Sequence, residues 1–261
     1  MNILDQLAAH ARERVAADMA RVPQEAMAEQ CRAMGPGNGD AFVQALEKPG
    51  LSFICEVKKA SPSKGIIAED FPYVEIAREY EAAGADAVSC LTEPKWFLGS
   101  DEIFREIRNT IRTPMLRKDF TVSAYQILQA RAMGANAVLL ICAILDDREL
   151  AEYLSLSREL GLAALTETHD EAEIERAVRC GAEIIGVNNR NLKNFSVDIG
   201  NAERLREKVP AGCLFVAESG VTGPGDAGRL RRLGADAALV GEALMRSADK
   251  AGMLAAMRRT E

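Results

Sequence analysis

A short motif of glycine, alanine and an acidic or amide residue recurs four times, and it constrains the fold more than any other feature. The copies lie at residues 84–86, 134–136, 181–183 and 234–236, with separations of 50, 47 and 53 residues. Each copy follows a segment with helical apolar spacing and precedes a short apolar run. The glycine is therefore predicted to end a helix and the run to form the next strand, in a repeating architecture.

Further apolar runs between these motifs bring the total to eight. Their starts are about 27 residues apart, enough for one strand, one helix and two short loops. Because the runs are continuous rather than alternating, they indicate a parallel sheet covered on both faces. Eight such units predict a (β/α)8 TIM barrel in the α/β class, with a doubly wound sheet as the alternative. The predicted strands are 51–57, 87–91, 114–116, 137–143, 162–165, 184–187, 213–217 and 237–240.

Residues 1–50 precede the first predicted strand and have a helical pattern of their own. One helical face is shared by Ile3, Leu4, Leu7, Ala8, Ala11 and Val15. A second amphipathic stretch covers residues 24–34, before the turn sequence GPGNGD. We therefore expect an N-terminal helical extension that packs on a barrel of residues 51–261, within a single domain.

Composition and charge exclude several classes of function. The chain of 261 residues has a formal net charge of -7 and no basic run, which argues against nucleic acid and anionic lipid as partners. The longest apolar stretch, 137–145, is about half of the ~20 residues that a membrane span needs, and no signal-peptide pattern begins the chain. Six separated cysteines and two histidines do not suggest a metal site. We expect a monomeric cytoplasmic protein.

Residues 223–228, GPGDAG, match the G-x-G-x-x-G pattern of dinucleotide-binding proteins. That fingerprint belongs directly at a strand-to-helix turn with several strand-helix units after it. Here ESGVT intervenes, and only one predicted strand follows. Thr222 as the N-cap and Pro224 in the first turn explain the segment as an ordinary helix start, so no nicotinamide or flavin cofactor is expected.

In a barrel, the loops that follow the strands build the functional site. The loops after the seventh and eighth predicted strands contain Ser219-Gly220 and Gly241-Glu242, and the loop after the first contains Ser61. Glycine lets backbone N–H groups approach an anion closely, and loops at this position frequently bind phosphate. Any one of them alone could be a tight turn, but together they predict a phosphate-binding site.

Ionisable residues at the same strand ends suggest acid-base chemistry. Glu56 and Lys58 are two positions apart, so their side chains project to one face, which near a strand end can be the barrel interior. A buried ion pair is costly, which favours a functional role. Lys118 ends the third strand and Glu167 follows the fifth. A lysine and a carboxylate across a barrel mouth can act as general acid and base, although each taken singly also fits a solvated rim position.

The segment FICEVKKASPSKG at residues 53–65 resembles a signature of the indole-3-glycerol-phosphate synthase family of tryptophan biosynthesis. Supporting blocks follow in the expected order: LTEPKWF, LRKDF, TETHD, GVNNRNL, VAESG and LVGEALM. The resemblance covers essentially the whole chain. It implies a carboxy-lyase that closes the indole ring of 1-(2-carboxyphenylamino)-1-deoxyribulose 5-phosphate with loss of CO2 and water, and it implies no metal or organic cofactor. Cys55, where alanine is expected, and Glu242, where some members have serine, depart from the pattern.

The resemblance also implies roles for individual residues. Lys118 is similar to the lysine that protonates the developing alkoxide, and Lys58 to one that contacts the substrate carboxylate and can also assist dehydration. Glu167 resembles a base or electrostatic stabiliser of later steps, and Glu56 holds Lys58. Further substrate contacts are implied for Asn188, Arg190, Glu218 and Ser219, and an apolar wall for Phe97, Phe120, Pro62 and Leu192. How Lys58 and Lys118 divide the acid and base work stays open.

Two other functions remain compatible with the residues alone. One is an aldolase that uses Lys118 or Lys58 as a Schiff-base nucleophile. The other is a non-catalytic sugar-phosphate binder, which would be expected to lose the acid-base residues that this chain retains.

Overall fold

In the computed structural model, which describes residues 2–191 and 195–259, eight parallel strands form a closed barrel. The last strand pairs with the first, Ser52 opposite Ala237, so the TIM barrel is confirmed and the doubly wound sheet is wrong. The strands are β1 Ser52–Val57, β2 Ala87–Leu91, β3 Met115–Lys118, β4 Ala137–Ile141, β5 Ala163–Thr168, β6 Ile184–Asn188, β7 Leu214–Glu218 and β8 Ala237–Val240. A hairpin of two short strands, Ala60–Ser61 and Gly65–Ile66, follows β1.

Helices precede the barrel and alternate with its strands. They are α1 Ile3–Arg21, α2 Gln24–Ala33, α3 Asp40–Leu46, α4 Tyr73–Ala82, α5 Asp101–Thr110, α6 Ala124–Ala132, α7 Asp147–Glu159, α8 Glu171–Arg179, α9 Gly200–Leu205, α10 Pro224–Leu233, α11 Glu242–Arg246 and α12 Lys250–Arg258. The sequence pattern did not predict α3. Thr222 is also not the N-cap of α10: Gly223 holds that position, while Thr222 bonds to Asp226 through its backbone N–H and its hydroxyl.

The four Gly-Ala motifs lie at the amino-terminal end of the barrel, where helices turn into strands. All four glycines have left-handed backbone, with φ between 77° and 89°. The following alanine N–H then bonds back to the preceding helix, as Ala85 does to the carbonyl of Tyr80 at 2.9 Å. This 6→1 bond closes the helix and aims the chain into the next strand.

The third residue of the motif bonds to the neighbouring strand. Asp86 Oδ2 accepts the N–H of Phe53 at 2.9 Å. Asn136 Oδ1 accepts the N–H of Met115 at 2.9 Å, and Asp236 Oδ2 accepts that of Phe215 at 2.7 Å. The copy at residues 181–183 differs, because exposed Glu183 pairs instead with Arg158. Three of the four motifs therefore connect adjacent strands through a side chain.

Side chains inside the barrel follow the period of two. At the amino-terminal end they are apolar: Ile54, Leu116 and Leu165 form one cluster with Phe42 and Leu46 of α3. Helix α3 thus closes this end of the barrel with fully buried side chains. The same inward register continues to Glu56, Lys118, Glu167 and Glu218 at the carboxyl-terminal end, so the alternation that packs the core also places the ionisable groups in the mouth.

Candidate active site

A cavity of about 660 Å³ opens at the carboxyl-terminal end of the barrel. Every predicted site residue lines it except Leu192, which lies outside the described residues. The predicted residues that line it are Glu56, Lys58, Ser61, Pro62, Phe97, Lys118, Phe120, Glu167, Asn188, Arg190, Glu218, Ser219, Gly220, Gly241 and Glu242. The structure therefore brings together side chains from loops that are far apart in the sequence.

Lys118 lies between two buried carboxylates at the floor of the cavity. Its Nζ is 3.2 Å from Glu167 Oε2 and 3.2 Å from Glu218 Oε2. The other oxygen of Glu218, Oε1, is buried without a hydrogen-bond partner. Two acids thus share one ammonium group in a site with little access to water, where electrostatic interactions are strong.

This arrangement shifts the pKa values in different directions. Burial alone would lower the pKa of Lys118, but the charges of Glu218 and Glu167 raise it well above its ordinary value. Burial and the nearby Glu167 charge outweigh Lys118 and raise the pKa of Glu218 to about 7. For Glu167, the charge of Lys118 and an ion pair with His169 outweigh burial and lower the pKa well below its usual range. The site therefore holds a charged donor, an ionised carboxylate and a carboxyl group that titrates near neutral pH.

Glu56 and Lys58 form a second ion pair, with Lys58 Nζ 2.5 Å from Glu56 Oε1. The pair lies against the loop after β8. A Cβ placed on Gly241 would be 2.9 Å from Lys58 Nζ and closer still to Glu56, so a side chain there would displace both. Lys58 accordingly lies beside the loop that was predicted to bind phosphate.

The loop after β7 has an unusual backbone. Ser219 and Gly220 both have left-handed backbone, with φ of 66° and 92°. This conformation is strained for serine, and such strain is concentrated at functional sites. Asn189 Nδ2 donates to the Ser219 carbonyl at 3.0 Å and thereby holds the turn in place.

The Glu242 side chain at the start of α11 is turned toward neighbouring cations. Its carboxylate lies 3.2 Å from Arg246 Nε and 3.5 Å from Lys64 Nζ, and both cations line the cavity. These two cations therefore pair with the Glu242 carboxylate. Lys64 and Arg246 add positive charge at this end of the cavity.

Apolar side chains also line the cavity. The rings of Phe97 and Phe120 lie 5.9 Å apart, between centroids. Ile3, Leu4 and Leu7 of α1 also line the cavity, so the first helix contributes to its wall. Such a surface suits an aromatic ring.

Two buried acids that the sequence interpretation did not select hold this part of the site. Asp119 accepts two hydrogen bonds from Arg14 of α1, at 2.7 and 3.1 Å, and one from Thr92 Oγ1 at 2.7 Å. The sequence did contain a clue to Asp119, because it is the aspartate of the RKDF block directly after Lys118. The partner on α1 is 105 residues away in sequence and could not be identified from a local pattern.

Glu93 organises the loop after β2. Its carboxylate accepts the backbone N–H groups of Lys95, Trp96 and Phe97, at 3.1, 2.7 and 3.1 Å. It also lies 3.1 Å from His10 Nδ1 of α1. Glu93 thereby fixes both Phe97 and the first helix at the mouth of the cavity.

The sequence matches the family model described as Indole-3-glycerol phosphate synthase over residues 4–257. The chain belongs to the indole-3-glycerol phosphate synthase family. It is 55% identical over 218 residues to the Indole-3-glycerol phosphate synthase of Ruminiclostridium cellulolyticum, covering 84% of each chain. It is 43% identical to that of Lachnoclostridium phytofermentans, covering 97% of each. The resemblance inferred from the sequence blocks is therefore confirmed.

Solved structures outside the indole-3-glycerol phosphate synthase family share the fold. Thiamine phosphate pyrophosphorylase from Pyrococcus furiosus superposes with a TM-score of 0.61 at 17% identity, covering 83% of this chain and 96% of that one. At this identity the likeness concerns the barrel alone. In the described part of the chain, no helix has the length and apolarity that crossing a membrane requires, and no group of three or more histidine, cysteine, aspartate or glutamate side chains is arranged to hold a metal ion.

Proposed function

We propose that this chain catalyses the indole-3-glycerol phosphate synthase reaction on 1-(2-carboxyphenylamino)-1-deoxyribulose 5-phosphate, with Lys118 as the general acid. The observation that carries the proposal is the ammonium group of Lys118, held between Glu167 and Glu218 at the floor of a cavity with an aromatic wall. Family membership supports the reaction, and the geometry supports the assignment of roles.

In the first step, the ring carbon that bears the carboxylate attacks the ketone carbon, and a carbon-carbon bond forms. Negative charge develops on the ketone oxygen. Lys118, which its acidic neighbours keep protonated, would donate a proton to that oxygen in the transition state. The apolar wall at Phe97 and Phe120 would hold the ring in position for attack.

Three bonds then break. The carbon-carbon bond to the carboxylate breaks and CO2 leaves, which restores the aromatic electrons of the ring. The new hydroxyl group takes a proton, whose donation we assign to Lys58, and leaves as water, and a proton is lost from the closed ring to form the indole. We assign acceptance of that proton to Glu167, whose low pKa keeps it ionised. Glu218, with a pKa of about 7, would then return a proton to the Lys118 amine.

Lys58 and the glycine-containing loops are assigned to substrate binding. Lys58 Nζ is held by Glu56 next to Gly241, within the region where we place the phosphate. In this position it can contact the phosphate or the substrate carboxylate. Ser61, Ser219, Gly220 and the backbone N–H of Glu242 would complete the anion site. We also assign substrate contacts to Asn188 and Arg190.

The reaction is tested by following indole absorbance when the purified chain is given the phosphorylated substrate without added metal. We expect turnover, and complete absence of product would overturn the proposal. The phosphate assignment is tested separately with a crystal grown in sulfate. The anion should bind at residues 219–220 and 241–242, and an anion bound only at residues 223–228 would contradict it.

The charge on Lys118 argues against the Schiff-base alternative. An imine-forming lysine must be neutral to attack a carbonyl, whereas two carboxylates favour the ammonium form here. Substrate plus borohydride should therefore leave no covalent adduct on Lys118 or Lys58, as measured by mass spectrometry of the digested protein. A reduced adduct would favour the aldolase.

A further inference from the structure

His169 directly follows β5 and contacts Glu167 without lining the cavity. Its buried Nε2 atom lies 3.3 Å from Glu167 Oε1, the carboxylate oxygen that does not face Lys118; this is an ion-pair distance without hydrogen-bond geometry. Its Nδ1 lies 3.1 Å from Oε2 of Glu173, on α8. The imidazole therefore lies between two carboxylates, one inside the barrel and one on the surrounding helix layer.

Several contacts fix the ring in this place. The backbone N–H of His169 donates to the same Glu173 oxygen at 2.8 Å. Its carbonyl accepts a hydrogen bond from Asn201 of α9 at 3.3 Å. Glu173 in turn donates its backbone N–H to the N-cap residue Asp170 at 2.9 Å. Strand β5 and two helices thus determine the position of one side chain.

We propose that His169 is a positioning residue for the synthase reaction: a doubly protonated imidazolium that holds one oxygen of Glu167 and aims the other at Lys118. The inference rests on the proposed function, because it gives the Glu167 carboxylate a task in catalysis. It explains why a buried carboxylate stays ionised beside the acid Glu218. A neutral imidazole carries only one N–H group and could therefore direct a proton toward only one of the two carboxylates that its nitrogens face.

The electrostatic surroundings support the charged form. Burial alone would lower the pKa of His169, but Glu167 and Glu173 raise it to about 10. The titratable and charged groups around the Glu167 and His169 pair are Lys118, Glu218 and Glu56 from the barrel strands, Glu173, Arg176 and Asp170 from α8 and its cap, and Cys142 after β4. Carboxylates thus face the imidazole from both sides, and Lys118 faces the far oxygen of Glu167.

The charge state is testable without any activity measurement, because the chain has only two histidines. Nitrogen NMR of 15N-labelled protein resolves both imidazoles, and the His10→Gln variant identifies the signals of His169. We expect both ring nitrogens of His169 to carry protons at pH 7.5 and to titrate near pH 10. In Glu167→Gln, the titration should move down by at least one pH unit. A neutral His169 at pH 7.5 in the unaltered protein overturns the proposal.

The positioning role is tested by kinetics of His169→Gln, which removes the charge and keeps an N–H donor. We expect kcat to fall about 10- to 100-fold with KM within threefold. The acidic limb of the kcat/KM profile should move up by about one pH unit, since a cation beside the buried acids is lost. Glu173→Gln, which loosens the other side of the ring, should give a smaller shift in the same direction.

The kinetic and NMR measurements distinguish failure of the inference about His169 from failure of the proposed function. If His169→Gln is less stable but its pH profile superimposes on that of the unaltered enzyme, His169 is only structural and the inference is wrong. If that variant does not fold, the Glu173→Gln profile and the NMR titration still decide the matter. An unaltered chain that makes no indole product defeats the proposed function, whereas the NMR result would still report on the imidazolium.

Discussion

At the amino-terminal end of the barrel, Asp86 and Asp236 accept hydrogen bonds from strand N–H groups, whereas at the carboxyl-terminal end Glu167 and Glu218 share one ammonium group. The first arrangement satisfies the acids with backbone donors that otherwise would be unpaired. Asp86 also contacts Lys48 at 3.0 Å and Arg258 at 2.6 Å. The second leaves Glu218 Oε1 buried without a partner. One end stabilises the fold, and the other holds charges in a costly arrangement that chemistry can use.

The helices of the N-terminal extension are also divided between the two ends of the barrel. Helix α1 contributes Ile3, Leu4 and Leu7 to the cavity wall, while α3 closes the opposite end with Phe42 and Leu46. Residues 1–50 therefore contribute side chains to both ends of the barrel. Deleting about 45 residues from the N-terminus would remove both the α1 side chains that line the cavity and the α3 side chains that close the core. The two helices must therefore be altered separately.

The largest expected effect comes from replacing one lysine at each end of the barrel. Lys118→Met should lower kcat by ~10³-fold or more while keeping binding of a ground-state analogue within about tenfold, because a proton donor acts mainly on the transition state. Lys48→Met is the matched control, since Lys48 is exposed and pairs with Asp86 at the other end. Its kcat should stay within twofold. A Lys118→Met enzyme with more than a tenth of normal kcat would remove Lys118 from the proposed role.

The next comparison separates α1 from α3. Phe42→Ala should lower the free energy of unfolding by about 3–5 kcal/mol, because it opens a cavity in the core, and kcat should change little. Deleting residues 2–22 should instead raise KM and lower kcat, because the apolar wall and the Arg14 bond to Asp119 are lost. Denaturant unfolding and steady-state kinetics measure the two properties. A deletion variant with normal kinetics would contradict a role for α1 in the site.

The destabilisation caused by ionising Glu218 at the carboxyl-terminal end of the barrel can be measured from the pH dependence of the free energy of unfolding. The pKa of Glu218 is raised to about 7, above its value in the unfolded chain. The folded form therefore binds more protons between about pH 4.5 and 7, and stability falls as the pH rises through that range. Glu218→Gln should match the unaltered enzyme in stability near pH 4.5 and exceed it by about 3 kcal/mol at pH 8, while losing activity. Equal stability of the two proteins at both pH values would show that the fold does not disfavour the ionised form of Glu218.

The smallest expected effect concerns the Gly-Ala motifs. Asp236→Ala leaves the N–H of Phe215 without its acceptor and should cost about 1–3 kcal/mol of stability with unchanged kcat. Glu183 occupies the same place in the motif but pairs with exposed Arg158 instead. Glu183→Ala should therefore stay within about 0.5 kcal/mol of the unaltered protein. Similar losses for both variants would show that the strand bond is not what makes the motif recur.

Much of the site was predictable because the barrel repeats with a regular period. Once eight strands were placed, the residues after each strand had to meet at one end, which brings Lys58, Lys118 and Glu167 into one cavity. The contacts that adjust these residues were not predictable. The side-chain contacts of His169 with Glu167 and of Arg14 with Asp119 depend on rotamers and on helix docking, and neither leaves a local pattern.

The sequence by itself determined the strands, the closing glycines and the identity of the ionisable groups, because spacing, backbone preference and residue chemistry are local properties. Only the tertiary structure decided which side chains contact each other. It placed α3 in the amino-terminal opening, made Glu167 and Glu218 share Lys118, and set the imidazole of His169 behind the Glu167 carboxylate. The physical reason is that a buried charge takes its properties from the groups that surround it, and here those groups come from different strands and helices.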